Sequence, residues 1–272
     1  MPEIAEVRVV ASTLKKEILN KKIIKVKVLY SKMIETNIEE FKTNIINCQI
    51  KDIRTIGKWI IFDLGKYSIL SHLRMEGKYY FEPSDTPIEK HTHIIFSLDN
   101  NMDLRYNDTR KFGRMLLVKT DEVNKQECIL KLGLEPDDKK LNEEYLLEKF
   151  KRVKKPIKDA LLDQGIINGL GNIYANEVLF ESKINPLKES YKLTKEECSR
   201  IISSSRRIIK ESYKMGGCTI RSYTSSLGVK GHFQEKLKVH MKDGTPCLIC
   251  NNKIEKIKVN GRSTYYCSHC QK

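Results

Sequence analysis

Residues 247–270 read CLICNNKIEKIKVNGRSTYYCSHC and contain two Cys-x2-Cys pairs separated by sixteen residues. Two pairs at this separation are typical of a tetrahedral zinc site, in which each cysteine supplies one thiolate. All four protein positions are filled, which indicates a structural rather than a catalytic metal. The predicted zinc ligands are Cys247, Cys250, Cys267 and Cys270.

The residues between the two cysteine pairs predict a β-hairpin. KIEKIKV and RSTYY have the composition of strands, and Asn260-Gly261 between them is a preferred pair for a two-residue type I′ turn. Arg262 therefore lies just past the tip of a hairpin that is stapled by metal. This position suits a side chain that reaches into a groove, and it suits a solvated turn residue equally well.

The segment before the hairpin predicts a helical domain. A change in composition at GLEPDDKK, within residues 132–140, indicates a link between domains. The helix-start signals beyond it are candidate caps at Asn142 and Asn172, a proline at position 156, and a capping-box pattern of Thr194 with Glu197. The last helix should end before Gly216 and Gly217.

One of these helix starts, NGLGNIYANE at residues 168–177, has two interpretations. Its glycines expose amide N–H groups at a positive helix end, which could hold a phosphate with help from the Asn172 side chain. Ordinary helix capping explains the same residues equally well. It is not a dinucleotide-binding fingerprint, because no βαβ unit surrounds it.

The N-terminal half predicts a helix followed by β structure. Apolar residues at positions 4, 7, 11, 14 and 18 form one face of an amphipathic helix that ends near Asn20. From Lys22 to Lys119, short runs of β-branched and aromatic residues alternate with turn residues. This pattern predicts an antiparallel sandwich or barrel.

The composition indicates a polyanionic partner. Fifty Lys and Arg residues against 35 Asp and Glu residues leave a formal charge of +15, which favours nucleic acid before a membrane surface. A generally lysine-rich proteome is the alternative explanation. No apolar run approaches the roughly 18 residues of a membrane span, and the N-terminus lacks a signal-peptide pattern, so we expect a cytoplasmic protein.

The opening MPEIAEV gives Pro2 two uses. Proline at the first position of a helix loses no hydrogen bond, and after removal of Met1 it presents a free secondary amine. An α-amino group has a pKa of about 7.7–8.0, against about 10.4 for lysine, so far more of it is neutral at pH 7. Such an amine could attack a sugar C1′, expel a base and leave an iminium that permits strand cleavage. Glu3 is adjacent and could move protons.

Other candidates are weak when taken singly. Lys58 lies at the start of an apolar run, where a lysine most commonly extends to solvent. His72, His91 and His93 could be structural histidines. Met75, Arg110 and Phe112 would individually be read as core or surface residues.

Taken together, these stretches resemble the formamidopyrimidine-DNA glycosylase family of bacterial enzymes that excise oxidised purines. The resemblance spans essentially the whole chain, through PEIAEV, GKW, HLRMEG, NDTRKFG, INGLGNIYANE, GGCTIRSY and the four-cysteine hairpin. It implies an α+β fold with a leading helix and β-sandwich over residues 1–131. A helix, two turns, helix domain over 132–236 and a zinc-finger hairpin over 237–272 would follow.

The resemblance also implies a role for each matched residue. Pro2 would be the Schiff-base nucleophile, Glu3 the proton donor to the sugar, and Lys58 the acid for β-elimination, while Arg262 would serve δ-elimination or grip the adjacent phosphate. The residues implied to fill the gap left by an extruded nucleotide are Met75, Arg110 and Phe112. Those implied to hold phosphates are His72, His91, Lys154 and Asn172. Residues 217–233 correspond to the loop that closes over the damaged base.

Two residues depart from the family pattern. Ala5 replaces a second proline and affects only local rigidity, whereas Cys218 replaces a common threonine near the base pocket and leaves lesion preference open. The implied function is a monomeric glycosylase and apurinic/apyrimidinic lyase acting on 8-oxoguanine and formamidopyrimidines in duplex DNA. The rivals are the endonuclease VIII class, which acts on oxidised pyrimidines, and a non-enzymatic zinc-finger protein that senses DNA damage.

Overall fold

The structure, a computed structural model, describes residues 1–218 and 231–272. It divides into two compact units. The N-terminal unit comprises Met1–Leu130 with Gly216–Gly231, and the C-terminal unit comprises Lys131–Met215 with His232–Lys272. The three-domain boundaries expected from the sequence stay a prediction.

The N-terminal unit begins with the predicted amphipathic helix, α1, at Ile4–Ile18. Its buried face contains the apolar positions that predicted it, because a spacing of three and four residues places side chains on one side of a helix. The helix stops two residues before Asn20, which adopts a positive φ of 64°. At its C-terminal end, Lys15 forms an ion pair with Asp52.

Two four-stranded antiparallel sheets follow, so the sandwich is the correct alternative. The sheet order β1-β6-β7-β5 is formed by Ile23–Val28, Thr92–Leu98, Met102–Asn107 and Lys78–Pro83. The order β2-β3-β4-β8 is formed by Asp52–Ile56, Trp59–Asp63, Tyr67–His72 and Arg114–Lys119. Both sheets contribute to one apolar core, in which the Phe62 and Tyr79 rings meet edge to face at 5.5 Å.

Two short helices in this unit were not predicted. Helix α2 at Ile38–Ile45 interrupts the stretch expected to be β structure, and α3 at Glu127–Leu130 follows the sandwich. The signal for α2 is present in the sequence, because the Asn37 side chain accepts hydrogen bonds from the N–H groups of Glu39 and Glu40. Only two residues of α2 are buried, so its apolar pattern is weak.

The C-terminal unit contains the predicted helices. They are α4 at Glu143–Phe150, α5 at Ile157–Leu162, α6 at Asn172–Glu181 and α7 at Lys195–Lys214. The caps at Asn142 and Thr194 and the start at Pro156 are confirmed. Among the described residues, no helix is long and apolar enough to cross a membrane.

The cap expected at Asn172 is wrong by one position. Gly171 is the N-cap of α6, and Asn172 is the first helical residue. The Asn172 side chain instead donates a hydrogen bond from Nδ2 to the carbonyl oxygen of Ser263, at 2.9 Å. The side chain that the local sequence assigned to capping therefore bonds to a strand 91 residues away.

The hairpin is confirmed as strands β9 at Glu255–Val259 and β10 at Arg262–Tyr266. Asn260 and Gly261 have positive φ values of 44° and 75°, as a type I′ turn requires. The chain entering the hairpin is fixed to α6, because the Glu177 carboxylate accepts hydrogen bonds from the backbone N–H groups of Lys238, Val239 and His240 at 2.8–3.0 Å.

Candidate functional site

The start of α1 forms a buried polar turn. Pro2 and Glu3 are both buried, and Glu3 is the N-cap of the helix. Glu3 and Glu6 form a reciprocal capping box, with the Glu3 N–H donating to Glu6 Oε2 at 2.8 Å. With Met1 in place the nitrogen of Pro2 is part of an amide, so removal of Met1 creates the secondary amine inside this turn.

Glu6 also connects the helix start to a distant part of the chain. Its Oε1 accepts a hydrogen bond from the Cys218 N–H at 2.7 Å. Gly217 has a φ of 82°, and a Cβ there would lie 2.9 Å from Glu6 Oε1, so only glycine fits this approach. The position of Glu6 three residues after the N-cap was the only signal in the sequence of this structural role.

Lys58 lies in a tight turn rather than extending to solvent. The pairing of Ile56 with Trp59 leaves Gly57 and Lys58 as a two-residue loop, in which Gly57 has a φ of 56°. Only 5% of Lys58 is exposed, so the solvent-exposed interpretation is wrong.

His72 is held as a neutral imidazole. Its ring contacts Trp59 edge to face at 4.9 Å, and its Nδ1 accepts a hydrogen bond from the Arg74 N–H at 3.0 Å. Burial, with smaller contributions from the charges of Arg74, Lys58 and Arg114, lowers the pKa of His72 to about 3. Since Nδ1 accepts, Nε2 carries the proton, and His72 can donate a hydrogen bond without a charge.

Two loops that cross between the sheets present the predicted gap-filling residues. The loop at 73–77 carries Met75, and the loop at 108–113 carries Arg110 and Phe112. These side chains are exposed, and the Arg110 guanidinium lies 4.8 Å from the centre of the Phe112 ring. The structure therefore brings the three residues to the same end of the sandwich.

The two loops are also joined to each other. The Thr109 hydroxyl donates to a Glu76 carboxylate oxygen at 2.6 Å. Gly77 and Gly113 both approach Tyr106, and a Cβ at either position would lie about 2 Å from its hydroxyl oxygen. One buried tyrosine thus packs beneath both loops.

Asp108 organises the second loop, and the sequence did not predict this role. It is fully buried, and its carboxylate accepts backbone hydrogen bonds from Arg110 at 2.9 Å and from Phe112 and Gly113 at 2.8 Å each. Lys111 between them has a φ of 57°. An Asx turn in NDTRKFG was the available signal, but it does not reveal that the aspartate is buried.

His91 lies beside this loop, because its carbonyl oxygen accepts a hydrogen bond from the Asp108 N–H at 3.0 Å. The His91 side chain is half-buried. His93 is a structural histidine, since it is buried and its Nε2 lies 2.8 Å from the carbonyl oxygen of Asp108. Of the two, only His91 has a side chain with access to a ligand.

In the C-terminal unit, Asn172 and Arg262 lie close together. Asn172 bonds to Ser263, the residue next to Arg262, and the Arg262 side chain is exposed. Lys154 is also exposed and lies in the link between α4 and α5. The structure gives no direct contact between Lys154 and Arg262 within the described ranges.

A buried polar chain lies behind Asn172. The ammonium group of Lys158, which is fully buried, donates to the Asn172 carbonyl oxygen at 3.2 Å and to Asn176 Oδ1. Asn176 Nδ2 lies 2.7 Å from His240 Nδ1. Burial, with help from the charge of Lys158, lowers the pKa of His240 to about 4, so this ring accepts the hydrogen bond as a neutral imidazole.

The four predicted cysteines form a cluster that fits zinc. Their sulfur atoms all lie within 4.8 Å of one another. The Cys247–Cys270 and Cys250–Cys267 sulfur distances are 3.9 and 3.5 Å. A tetrahedron with zinc–sulfur bonds of about 2.3 Å has edges of about 3.8 Å, so the observed arrangement accepts a structural zinc ion. The bound ion would hold the two ends of the hairpin together.

The fold and this cluster define a class of protein with a helix-led β-sandwich, a helical segment and a zinc finger. Three family models match successive parts of the chain. They are the formamidopyrimidine-DNA glycosylase N-terminal domain at residues 1–115, the formamidopyrimidine-DNA glycosylase H2TH domain at 132–224, and the zinc finger found in FPG and IleRS at 244–272. The chain belongs to the formamidopyrimidine-DNA glycosylase family.

Individual relatives match over their whole length. The formamidopyrimidine-DNA glycosylases of Lactobacillus helveticus and Ligilactobacillus salivarius are 44% and 45% identical to this chain over 272 residues, covering 100% of the chain and 99% of each relative. A crystal structure of Lactococcus lactis Fpg (MutM) in complex with N7-benzyl-Fapy-dG DNA superimposes with a TM-score of 0.94. It shares 39% identity and covers 99% of both chains.

Proposed function

We propose that this protein is a bifunctional DNA glycosylase and apurinic/apyrimidinic lyase that removes oxidised purines from duplex DNA. The observation that carries the proposal is the likeness, with a TM-score of 0.94, to Lactococcus lactis Fpg bound to DNA containing a formamidopyrimidine. A second complex of the Lactococcus protein holds abasic-site DNA, which is the substrate of a lyase step. The full-length match leaves no support for the pyrimidine-specific and non-enzymatic rivals.

The chemistry begins at Pro2 once Met1 has been removed. The lone pair of the ring nitrogen attacks C1′ of the damaged nucleotide, the glycosidic bond breaks, and the base leaves with a proton. Protonation of the sugar ring oxygen O4′ then breaks its bond to C1′, which opens the ring and leaves a cationic iminium between the nitrogen and C1′. This cation acidifies the C2′ proton, so that β-elimination breaks the bond between C3′ and the 3′-phosphate oxygen.

Proton transfers in this sequence belong to Glu3 and Lys58 in our proposal. Glu3 follows the nucleophile directly and is buried, so it can protonate the sugar ring oxygen without competition from bulk water. Lys58 is also buried, in the two-residue turn between β2 and β3. A lysine ammonium at that position can donate a proton during β-elimination.

Met75, Arg110 and Phe112 are proposed to occupy the gap left when the damaged nucleotide leaves the duplex. The exposure of all three side chains and the link between their two loops support this role. An apolar side chain replaces the lost base stacking, and Arg110 can probe the edge of the opposite base. The buried Asp108 carboxylate reduces the conformational freedom that the loop would lose on binding DNA.

We propose that residues of each unit bind phosphates of the DNA. His72 would donate one neutral N–H, and His91, Lys154 and Asn172 would add further donors. Arg262 would bind a phosphate beside the lesion or assist δ-elimination. In that step the C4′ proton is removed and the C5′–oxygen bond breaks, which releases the 5′-phosphate.

Three further expectations accompany this function. We propose that the protein acts as a cytoplasmic monomer and that its chain works as the three domains 1–131, 132–236 and 237–272. The lesion-covering loop is assigned to residues 217–233, of which 219–230 lie outside the described residues. Size-exclusion chromatography coupled to light scattering would test the monomer.

Borohydride trapping tests the nucleophile. The mature protein, with Met1 removal checked by intact mass, should form a covalent adduct with a duplex containing 8-oxoguanine. A Pro2→Gly variant should form less of this adduct, because it replaces the secondary ring amine by a primary amine that lacks the fixed geometry of the ring. A protein extended by Gly-Ser before Pro2 is the matched control, because it keeps the proline ring and converts only the amine into an amide. Full strand cleavage by this extended protein would contradict the proposal.

A further inference from the structure

The tip of the zinc hairpin is bound to the helices on both sides of Arg262. On one side, the Asn260 side-chain amide donates a hydrogen bond to Asp159 Oδ2 in α5. On the other side, the Asn172 amide in α6 donates to the Ser263 carbonyl oxygen at 2.9 Å. Arg262 lies between these two contacts and is itself exposed. Its backbone position is therefore determined by two side chains outside the hairpin.

The Asn260 contact is not needed to form the turn. Positive φ values at Asn260 and Gly261 already satisfy a type I′ turn, and an asparagine there commonly points to solvent. A two-residue turn joining two strands is nevertheless free to tilt as a body, because a lone hairpin is marginally stable. The contact with Asp159 restricts this tilt at the point where it would move Arg262 most.

Asp159 is an unusual residue for a purely structural contact. Only 8% of it is exposed, and its second oxygen, Oδ1, has no hydrogen-bond partner in the part of the chain that the structure describes. A buried carboxylate with an unused acceptor is costly, so replacing it with an apolar residue would be expected to cost little or to stabilise the fold. Its charge is also unfavourable near a phosphate-binding surface.

We propose that Asp159 is a positioning residue for Arg262. Its hydrogen bond to Asn260 and the hydrogen bond from Asn172 to Ser263 together hold the Arg262 guanidinium where it meets a DNA phosphate. The proposal rests on the proposed function, because it assigns Asp159 to the δ-elimination or phosphate contact of Arg262. It adds a carboxylate that does not touch the DNA.

Removing Asp159 should have two opposing effects on DNA. Loss of a negative charge should tighten binding by electrostatics alone, whereas loss of the hydrogen bond should loosen Arg262. Asp159→Ala should therefore lower the ratio of δ- to β-elimination product by about threefold to tenfold, the range that one net hydrogen bond supplies. The yield of borohydride trapping at Pro2, measured with enough protein to saturate the DNA, should be unchanged, because the first covalent step does not use Arg262.

Two variants separate the hydrogen bond from the charge. Asp159→Asn removes the same charge but keeps an oxygen that can accept from Asn260, so it should restore much of the δ-product. Asn260→Gly keeps the positive φ of the turn and removes only the amide donor, so it should reproduce Asp159→Ala. The double variant of Asp159→Ala with Asn260→Gly should be no worse than either single variant.

The matched control is Glu255→Ala, at the opposite end of the same hairpin. Glu255 accepts hydrogen bonds from the hydroxyl groups of Tyr266 and Ser268, so its loss, like that of Asp159, removes one carboxylate that is bonded to the hairpin. It leaves the tip contacts intact, and the product ratio should stay at the wild-type value. Zinc content and melting temperature of every variant show whether the finger is folded.

A wild-type product ratio in folded Asp159→Ala and Asn260→Gly proteins would overturn the proposal and leave Asp159 a structural residue. An equal loss in Asp159→Ala and Glu255→Ala would also overturn it, because the effect would then belong to the hairpin as a whole. If Asp159→Ala does not fold, Asn260→Gly carries the test without altering α5. Absence of any trapped adduct with the wild-type protein would instead reject the proposed function itself.

Discussion

The loop at 108–113 and the hairpin tip at 260–262 both present an exposed arginine, but they are supported in different ways. The loop rests on Asp108, which is buried against the core of an eight-stranded sandwich. The hairpin has only two strands, so it depends on four cysteine sulfurs and on contacts with α5 and α6. A large core supports a recognition loop by itself, whereas a small element needs a metal and neighbouring helices.

Zinc removal should produce the largest difference in stability between the hairpin and the loop at 108–113. Chelation, or Cys247→Ser, should unfold the hairpin and weaken binding to abasic-site DNA by roughly 100-fold or more, since zinc binding supplies the folding free energy of such fingers. The N-terminal unit should keep its melting temperature. Trp59 is the only tryptophan of the chain and lies in that unit, so its fluorescence reports this melting directly.

If the N-terminal unit of zinc-depleted protein, followed by Trp59 fluorescence, melts at a clearly lower temperature, the sandwich also depends on the metal. The loop at 108–113 would then not be supported by the core alone. Readdition of zinc provides the control, because it should restore binding without changing the Trp59 transition.

Asp108→Ala should be the next largest change and should affect the other region. It leaves three backbone N–H groups, of which that of Gly113 is buried, without their acceptor, so we expect a loss of about 2 to 3 kcal/mol from the free energy of unfolding of the N-terminal unit. Discrimination among bases opposite 8-oxoguanine should weaken, because Arg110 and Phe112 lose their fixed backbone. Excision rates with each opposite base, and urea unfolding followed by Trp59 fluorescence, measure the two effects.

Asp108→Asn is a milder partner for this test, since one of its oxygens remains an acceptor. Zinc content and the δ- to β-product ratio should stay unchanged in both variants. A change in the product ratio would mean that the two regions are not independently supported.

Lowering the pH should reduce the free energy of unfolding of both units. The effect should be smaller than those of the two changes above. The pKa values of His72 and His240 are lowered to about 3 and about 4, against 6.5 in an unfolded chain. Between those values the unfolded state binds more protons, so stability is complete above pH 6.5 and falls as the pH drops toward 4 and then 3. Each histidine can contribute at most about 1.4 kcal/mol per pH unit.

Unfolding free energies measured from pH 7 to pH 4 check this expectation. His72→Asn should flatten the pH dependence of the transition that Trp59 reports, and His240→Asn should flatten that of the C-terminal unit. An unchanged slope in either variant would show that the corresponding histidine is not kept neutral by the fold.

The sequence by itself determined the parts whose signals are local. The cysteine spacing, the Asn260-Gly261 turn, the caps at Asn142 and Thr194 and the periodicity of α1 each involve residues a few positions apart. Such features depend only on the geometry of neighbouring residues, so they can be predicted from one sequence. Motif order also identified the family, which the matches to relatives along the whole chain confirm.

Tertiary structure alone decided where buried polar groups find their partners. Glu6 accepts a hydrogen bond from Cys218, which is 212 positions away, and Asp159 accepts one from Asn260, which is 101 positions away. The Asn172 side chain bonds to Ser263 instead of capping its helix. The burial of Lys58 and Asp108 likewise depends on loops brought together by the sheets. The physical reason is that a buried donor or acceptor must be satisfied by whatever group the packing places beside it, and spacing along the chain does not encode that group.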